Sequence, residues 1–344
     1  MPTPICHNRS PKAPDLIPDS TFTLNNDSGN NDSGLIIDTD PGVDDAIAIL
    51  MALASESTRL LGLTVVGGNV PLARGVRNAL AILDRVRRGE VPVCRGSSRP
   101  LTGRFGYSVA FHGKSGLTRR LPGPQTRPST ENAAGFLARN IQGSPGGVSL
   151  VALGPLSNLA QLAGPPSADS GGRPNPLEPV ASLTVMGGAV DCPGNVTPYA
   201  EFNFHSDPLA AHRVLNCSLP ITLVDLAACR QVALSKGQVD RLRADSPLGS
   251  LAIDFLKGWF RRDPHRDSFE FYDPLALAAA LDPRMVATRR VGLRVEHGDP
   301  TRWGQSSIVA RSGDIALVTE VDREGFFNLL TGLLGWTGLD LGNA

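Results

Sequence analysis

Eight consecutive residues, Asp38-Thr39-Asp40-Pro41-Gly42-Val43-Asp44-Asp45, carry four carboxylates. They follow the apolar run Leu35-Ile36-Ile37 and precede residues 46–53, which are apolar on every side. Pro41-Gly42 separates the two runs, so the acids sit on a turn between a strand and a buried helix. Like charges at about 4 Å repel by about 4 kcal/mol per pair at an effective dielectric of ~20. A helix starting near Asp44 returns roughly 0.3–1 kcal/mol per acid, which leaves most of that repulsion unanswered. A bound hard cation is the natural counter-charge. Oxygen donors with no His or Cys nearby favour Ca2+ or Mg2+ over zinc. Any one of these aspartates has an ordinary explanation as a helix cap, first-turn acid or turn former. Four together are poorly explained that way.

The elements that must hold this turn are legible in the hydrophobic pattern. Residues 60–68 and 91–96 read as further buried strands, with an amphipathic helix over 71–86 between them. Continuous apolar strands alternating with helices predict a parallel sheet covered on both faces. Strands over 148–153, 182–188 and 220–227 continue it, with helices over 130–142, 156–163, 207–216 and 247–260. Residues 164–179 are rich in Pro, Gly and Ser and read as a surface insertion. Terminal strands are expected over 291–297, 306–311 and 314–320, then a closing helix over 321–334. Residues 1–34 have the composition of a disordered extension. The expected architecture is one α/β domain over 35–344, an open, mostly parallel, Rossmann-like sheet flanked by helices. Ligands of such a sheet sit at the C-terminal ends of its strands, which is where the acidic turn lies.

Composition narrows the function. The 344 residues hold 33 basic and 33 acidic side chains, which argues against nucleic acid or a membrane surface as partner. Hydrophobic residues are 41%, enough for a sizeable core, and no apolar run reaches the roughly 18 residues of a membrane span. Five cysteines form no CxxC pair, which fits a reducing, cytoplasmic setting better than a disulfide or zinc framework. The N-terminus lacks the apolar stretch of a secretory signal. Only four of the 33 cations are lysine, which reads as genome composition.

Residues 36–46, containing the acidic turn, resemble the N-terminal fingerprint of the inosine–uridine preferring nucleoside hydrolases. The resemblance continues in family order. It includes Val65-Val66-Gly67-Gly68-Asn69, the His112-Gly113-Lys114-Ser115-Gly116-Leu117 loop, the Leu153-Gly154-Pro155-Leu156-Ser157-Asn158 turn and Met186-Gly187-Gly188. It ends with residues 194–203 (Gly-Asn-Val-Thr-Pro-Tyr-Ala-Glu-Phe-Asn) and Asp273-Pro274-Leu275-Ala276. The first stretch and residues 194–203 are the specific ones. The resemblance implies Ca2+-dependent hydrolysis of ribonucleosides to free base and ribose by a dimer or tetramer. It implies Ca2+ held by Asp40, Asp45, Asp273 and the Leu153 carbonyl, with open positions for the 2′- and 3′-hydroxyls of the ribonucleoside and a water. Asp44 is then the general base, expected to keep a low pKa between the metal ligands. Asp38 orients neighbours, and Asn69 binds a sugar hydroxyl or the acids. Asn195, Glu201 and Asn203 bind ribose hydroxyls, and Met186 and Phe202 pack on the sugar.

One departure concerns the leaving group. Many members carry His just before the late Asp-Pro, as an acid for the departing base; Tyr272 stands there, a weak acid near pH 7. Tyr272, His112 and His265 are the candidate replacements. His112 is flanked by glycine and is expected to be exposed and mobile. Trp259 and Phe260 are candidates for stacking on the base or for core or interface packing, and Trp303 for a structural role or the pocket mouth. The tyrosine also raises a second reading, a ribose-binding homologue that lost leaving-group chemistry. A third, a dehalogenase-like phosphatase with Asp38 as nucleophile, needs a phosphate-binding lysine, and Lys114 and Lys236 lack the context for it.

Overall fold

A computed structural model describes residues 34–144, 147–164 and 175–342. The extension over 1–33 and most of the Pro/Gly/Ser-rich insertion lie outside the described residues. The strands are β1 (Gly34–Thr39), β2 (Arg59–Val65), β3 (Val93–Arg95), β4 (Val148–Ala152), β5 (Ser182–Met186) and β6 (Ile221–Val224). Short β7 (Ala233–Ser235), β8 (Arg243–Ala244) and β9 (Ser268–Glu270) follow, then β10 (Val286–Val295), β11 (Ser306–Val321) and β12 (Trp336–Thr337). The helices are α1 (Val43–Ala54), α2 (Leu72–Arg85), α3 (Val109–His112), α4 (Ala133–Gly143), α5 (Ser157–Ala163) and α6 (Phe202–Ser206). They continue as α7 (Pro208–Leu215), α8 (Leu226–Cys229), α9 (Lys236–Arg241), α10 (Pro247–Arg262), α11 (Tyr272–Leu281) and α12 (Arg323–Leu334).

Eight strands form one sheet in the order β10-β11-β6-β5-β4-β1-β2-β3. Every neighbouring pair is parallel except β10 with β11. Because strand side chains alternate between faces, Leu35 and Ile37 join one core while Ile36 joins the other. The first core lies under α1, α10, α11 and α12, and the second under α4, α5 and α7. Helix α1 is buried from Val43 to Leu53, as its apolar circumference requires. Among the described residues no helix is long and apolar enough to cross a membrane.

The C-terminal edge differs from the sequence pattern. Residues 306–311 and 314–320, expected as two strands, form the single strand β11. Its register against β10 jumps from Ile315 to Ala310 between Val291 and Gly292. A bulge therefore absorbs the Ser312-Gly313 turn signal without ending the strand.

Candidate active site

From β1 the chain winds outward through β2 and β3, then returns to β1's other side as β4 and winds the opposite way. This is a topological switch point, and the crevice beyond the strand ends there is where open α/β sheets bind ligands. The acidic turn leaves β1 at that crevice, Asn69 follows β2, Leu153 follows β4 and Met186 ends β5. Asp273 enters from the first turn of α11, and Glu201 caps α6. Together they enclose a cavity of about 280 Å³. Asp44, Asn69, His112, Leu153, Met186, Asn195, Glu201, Phe202, Asn203, Tyr272 and Asp273 all line it. Asp40 and Asp45, both wholly buried, are the expected site residues that do not reach its wall.

Carboxylate oxygens of Asp44, Asp45 and Asp273 lie within 4.8 Å of one another. Asp45 is fixed from both sides. Its Oδ1 accepts from Thr39 Oγ1 (2.5 Å) and the Asp40 amide (3.2 Å), and its Oδ2 from the Gly42 amide (2.7 Å) and Asn69 Nδ2 (3.1 Å). Asp40 differs from the expected ligand set in standing outside that tight group, because its Oδ2 is drawn onto the Asn69 amide at 2.6 Å. Its other oxygen, Oδ1, is buried with no hydrogen-bond partner among the described residues, as is Oδ1 of Asp44. A Cβ on Gly68 would sit 2.0 Å from Asp40 Oδ2, so the glycine of the second motif makes room for this carboxylate. Buried carboxylates with orphaned oxygens and no counter-charge fit a hard divalent cation, since an unpaired buried acceptor is otherwise costly.

The electrostatics agree. Burial, then repulsion from Asp45, pushes Asp44 up to about 8, against the sequence expectation of a low value. Burial also raises Glu201 to about 7 and holds Asp40 and Asp273 well above the carboxylate range. The low value was argued from neighbouring cation charge, which only a bound ion supplies. A carboxyl whose pKa rises on folding favours the native state below its unfolded value near 4. That advantage is lost as pH climbs through the folded value, here 7 to 8 for Glu201 and Asp44. The melting temperature of the chelated protein is therefore expected to fall between pH 5 and 9, while saturating Ca2+ flattens the dependence. Parallel melting curves in calorimetry, with and without the ion, would refute this.

Asp38 stands apart from the cluster, its Oδ1 accepting from Thr64 Oγ1 (2.5 Å) and Asn158 Nδ2 (2.7 Å). Its carbonyl accepts the Leu153 amide at 2.8 Å, so Asp38 positions the backbone that carries the Leu153 carbonyl. Glu201 is the N-cap of α6, both its oxygens taking backbone amides from Gly188, Asn203 and Phe204. Asn203 donates through Nδ2 to the Leu153 carbonyl (2.8 Å) and Met186 carbonyl (3.3 Å), which leaves Oδ1 to offer to a hydroxyl. Asn195 Oδ1 accepts from the Phe202 amide at 3.0 Å.

His112 corrects the sequence expectation. It is 3% exposed, and its Nδ1 accepts the Val43 amide at 3.1 Å, 3.8 Å from Asp44 Oδ1. Burial, with help from Arg266 and Arg262, pushes it down to about 3, so the ring is neutral with its proton on Nε2. A Cβ on Gly42 would lie 2.6 Å from His112 Cε1; the glycine admits the ring. The glycines that follow His112, Gly113 and Gly116, take φ of +80° and +86° and lie close to Arg262 and Asn78. His265 is exposed and away from the cavity. Trp259 and Phe260 are core residues, Trp259 stacking edge-on with Phe111, Phe260 and Phe269.

Tyr272 and Phe111 also line the cavity, Phe111 packing edge-on against the His112 ring with centroids 4.7 Å apart. The Tyr272 hydroxyl donates to Glu270 Oε2 at 2.5 Å, and burial together with Glu270 holds the phenol well above its ordinary value. Glu270 escaped the sequence reading. The alternation Glu270-Phe271-Tyr272 was its signal, because period two places the two polar residues on one side. Lys114 and Lys236 are exposed and Asp38 is sealed from the cavity, so the phosphatase constellation is not assembled.

Comparison with known proteins gives one answer. The family model described as inosine-uridine preferring nucleoside hydrolase matches residues 35–328. The chain is similar to uridine nucleosidase 1 of Arabidopsis thaliana, 36% identical over 85% of this chain and 90% of that one. It is also similar to a pyrimidine-specific ribonucleoside hydrolase of Shewanella woodyi, 31% identical over 86% and 96%. Among solved structures, a plant nucleoside hydrolase superposes with a TM-score of 0.79 at 30% identity over 88% of this chain and 99% of that one. A purine-preferring ribonucleoside hydrolase from Gardnerella vaginalis gives 0.76 at 29% over 88% and 98%.

Proposed function

Because this chain belongs to the inosine-uridine preferring nucleoside hydrolase family, we propose that its cavity hydrolyses the N-glycosidic bond of ribonucleosides with the help of a calcium ion. Membership makes the protein a hydrolase acting on N-ribosyl compounds; the ion and the residue roles are our reading. The reading rests on the orphaned, buried carboxylate oxygens of Asp40 and Asp44, the latter lining a cavity that Asn69, Asn195 and Asn203 also wall. The ion is assigned to Asp40, Asp45, Asp273 and the Leu153 carbonyl. Bound there, calcium supplies counter-charge, positions for the vicinal 2′- and 3′-hydroxyls and acidification of the attacking water.

The chain's own groups do the rest. Asp44 takes a proton from the water that attacks C1′ while the C1′–N bond breaks, and the departing nitrogen takes its proton from solvent, because the Tyr272 hydroxyl donates its own to Glu270. Attack from the face opposite the base predicts inversion at C1′, as in inverting glycosidases. Neutral His112 anchors the first turn of α1 through the Val43 amide and so holds Asp44 at the substrate. Asn195, Glu201 and Asn203 bind the sugar, and Met186 and Phe202 pack against it. Sites built to hydrogen-bond a hydroxyl reject analogues lacking it by about 10⁴-fold, so 2′-deoxyuridine is expected to fall that far below uridine in kcat/KM. Ribose release from a nucleoside panel tests this. Equal turnover of the two would remove the hydroxyl-chelating reading.

Tyr272 has committed its proton to Glu270, so it offers its oxygen to the base and does not ionise. Tyr272→Phe is expected to slow natural nucleosides more than p-nitrophenyl riboside, whose leaving group needs no help. Equal slowing would take Tyr272 out of the leaving-group end. The chelator-sensitive release of ribose is the test of the whole reading.

A further inference from the structure

A second cavity, about 670 Å³, opens beside the first. The two share one wall, made by Ser108, Asn195, Val196 and Phe202. The direction of that wall follows from the sugar. A ribonucleoside leaves its furanose ring by three exits: the base at C1′, the hydroxyl pair at C2′ and C3′, and the substituent at C4′, which is C5′. On the reading above, the hydroxyl pair faces the acidic cluster and the base faces Phe111 and Tyr272. The remaining exit points at Asn195, Val196 and Phe202, behind which the second cavity lies. None of the acids, and neither Phe111 nor Tyr272, lines that second space.

Its chemistry is mainly apolar. Tyr107, Trp303 and Phe202 supply aromatic surface, and Trp303 is fixed by its Nε1 bond to the His205 carbonyl at 3.0 Å. Tyr107 and Val196 are 47% and 45% exposed, an unusual density of exposed apolar surface. Arg104 is the one cationic side chain besides His205, whose charge partial burial disfavours. Gly106 leaves space, since a Cβ there would meet nothing within 4 Å.

We propose that this annex is a subsite for an uncharged, apolar 5′-substituent, so that the protein also hydrolyses 5′-thioether ribonucleosides. The reaction is unchanged in its bonds: water oxygen joins C1′, the C1′–N bond breaks, and the products are free base and a 5-alkylthio ribose. A 5′-phosphate is expected to be refused, because the annex offers it one exposed arginine among mainly apolar groups. This inference rests on the hydrolase reading, and the test separates the two.

Kinetics are measured with uridine and inosine, their 5′-methylthio to 5′-butylthio series, and their 5′-phosphates. Along the thioether series KM is expected to fall about three- to fourfold per buried methylene. Gly106→Trp fills the annex and is expected to abolish that trend while leaving the parent nucleosides unchanged. Turnover of the parents with a flat or rising KM along the series overturns the subsite and leaves the hydrolase reading standing. A trend that survives Gly106→Trp places the substituent elsewhere and overturns it too. Phosphates used as well as thioethers overturn the apolar assignment. No turnover of any member, parents included, sinks the hydrolase reading and the subsite with it.

Discussion

Asp44→Asn is expected to lower kcat by about 10³-fold with KM for the nucleoside little changed, in line with the 10²–10⁴ that general bases contribute. The side chain lines the cavity from the first turn of α1 and is 6% exposed. Its Oδ1 has no hydrogen-bond partner among the described residues, so asparagine takes the same place without breaking a bond at that atom. What asparagine lacks is the basic lone pair and the negative charge. Loss of the first stops proton abstraction, and loss of the second removes repulsion against Asp45. The same variant is therefore expected to melt higher than the parent when both are chelated at pH 8. Near-parental turnover would remove Asp44 as the base. A variant that is inactive and also melts lower would point to a structural role. Equilibrium binding of a nucleoside to the variant distinguishes lost chemistry from a lost site.

Exhaustive removal of divalent cations is expected to lower kcat/KM by about 10⁴-fold or more, because several contributions fail together. The sugar loses the group that orients its hydroxyl pair, and the water loses its acidifying neighbour. Asp44 itself is disabled. Burial and repulsion from Asp45 raise its carboxyl to about 8 and so favour the protonated form, which does not accept a proton. Ca2+ is expected to restore activity better than Mg2+, since a small ion demanding near-octahedral geometry accommodates two chelating hydroxyls poorly. Proton release on Ca2+ uptake, read by titration in weak buffer, reports the same coupling independently. Undiminished ribose release from rigorously metal-free protein would exclude the cation from the reaction.

Much of this site was legible in the residues because its ligands cluster in the chain. The acids on the β1–α1 turn, the strands that carry Leu153 and Met186, and the helix that presents Asp273 each announce themselves by local pattern. The parts that were not legible depend on contacts between distant segments. His112 read as a loop residue because glycines surround it, yet Gly42, far away in sequence, makes the space that buries it. Trp259 read equally as stacking platform or core, and the rings from α3 and β9 around it decide for the core. The burial of Asp44 likewise involves a segment distant in sequence, His112 Nδ1 lying 3.8 Å from its Oδ1. The bulge in β11 was hidden because Ser312-Gly313 has the composition of a turn whether or not the strand resumes.

The carboxylates of this site come from opposite ends of the polypeptide, Asp40, Asp44 and Asp45 just after the first strand and Asp273 from α11, which packs on α1. During synthesis the early three emerge long before their partner. A nascent chain halted ahead of residue 273 thus carries a self-repelling turn that nothing yet can neutralise. The proposed ion site is therefore expected to be completed only once residue 273 has been made. Products that stop ahead of residue 273 should then lack any ion-dependent stabilisation, whereas those that stop beyond α11 keep all four carboxylates.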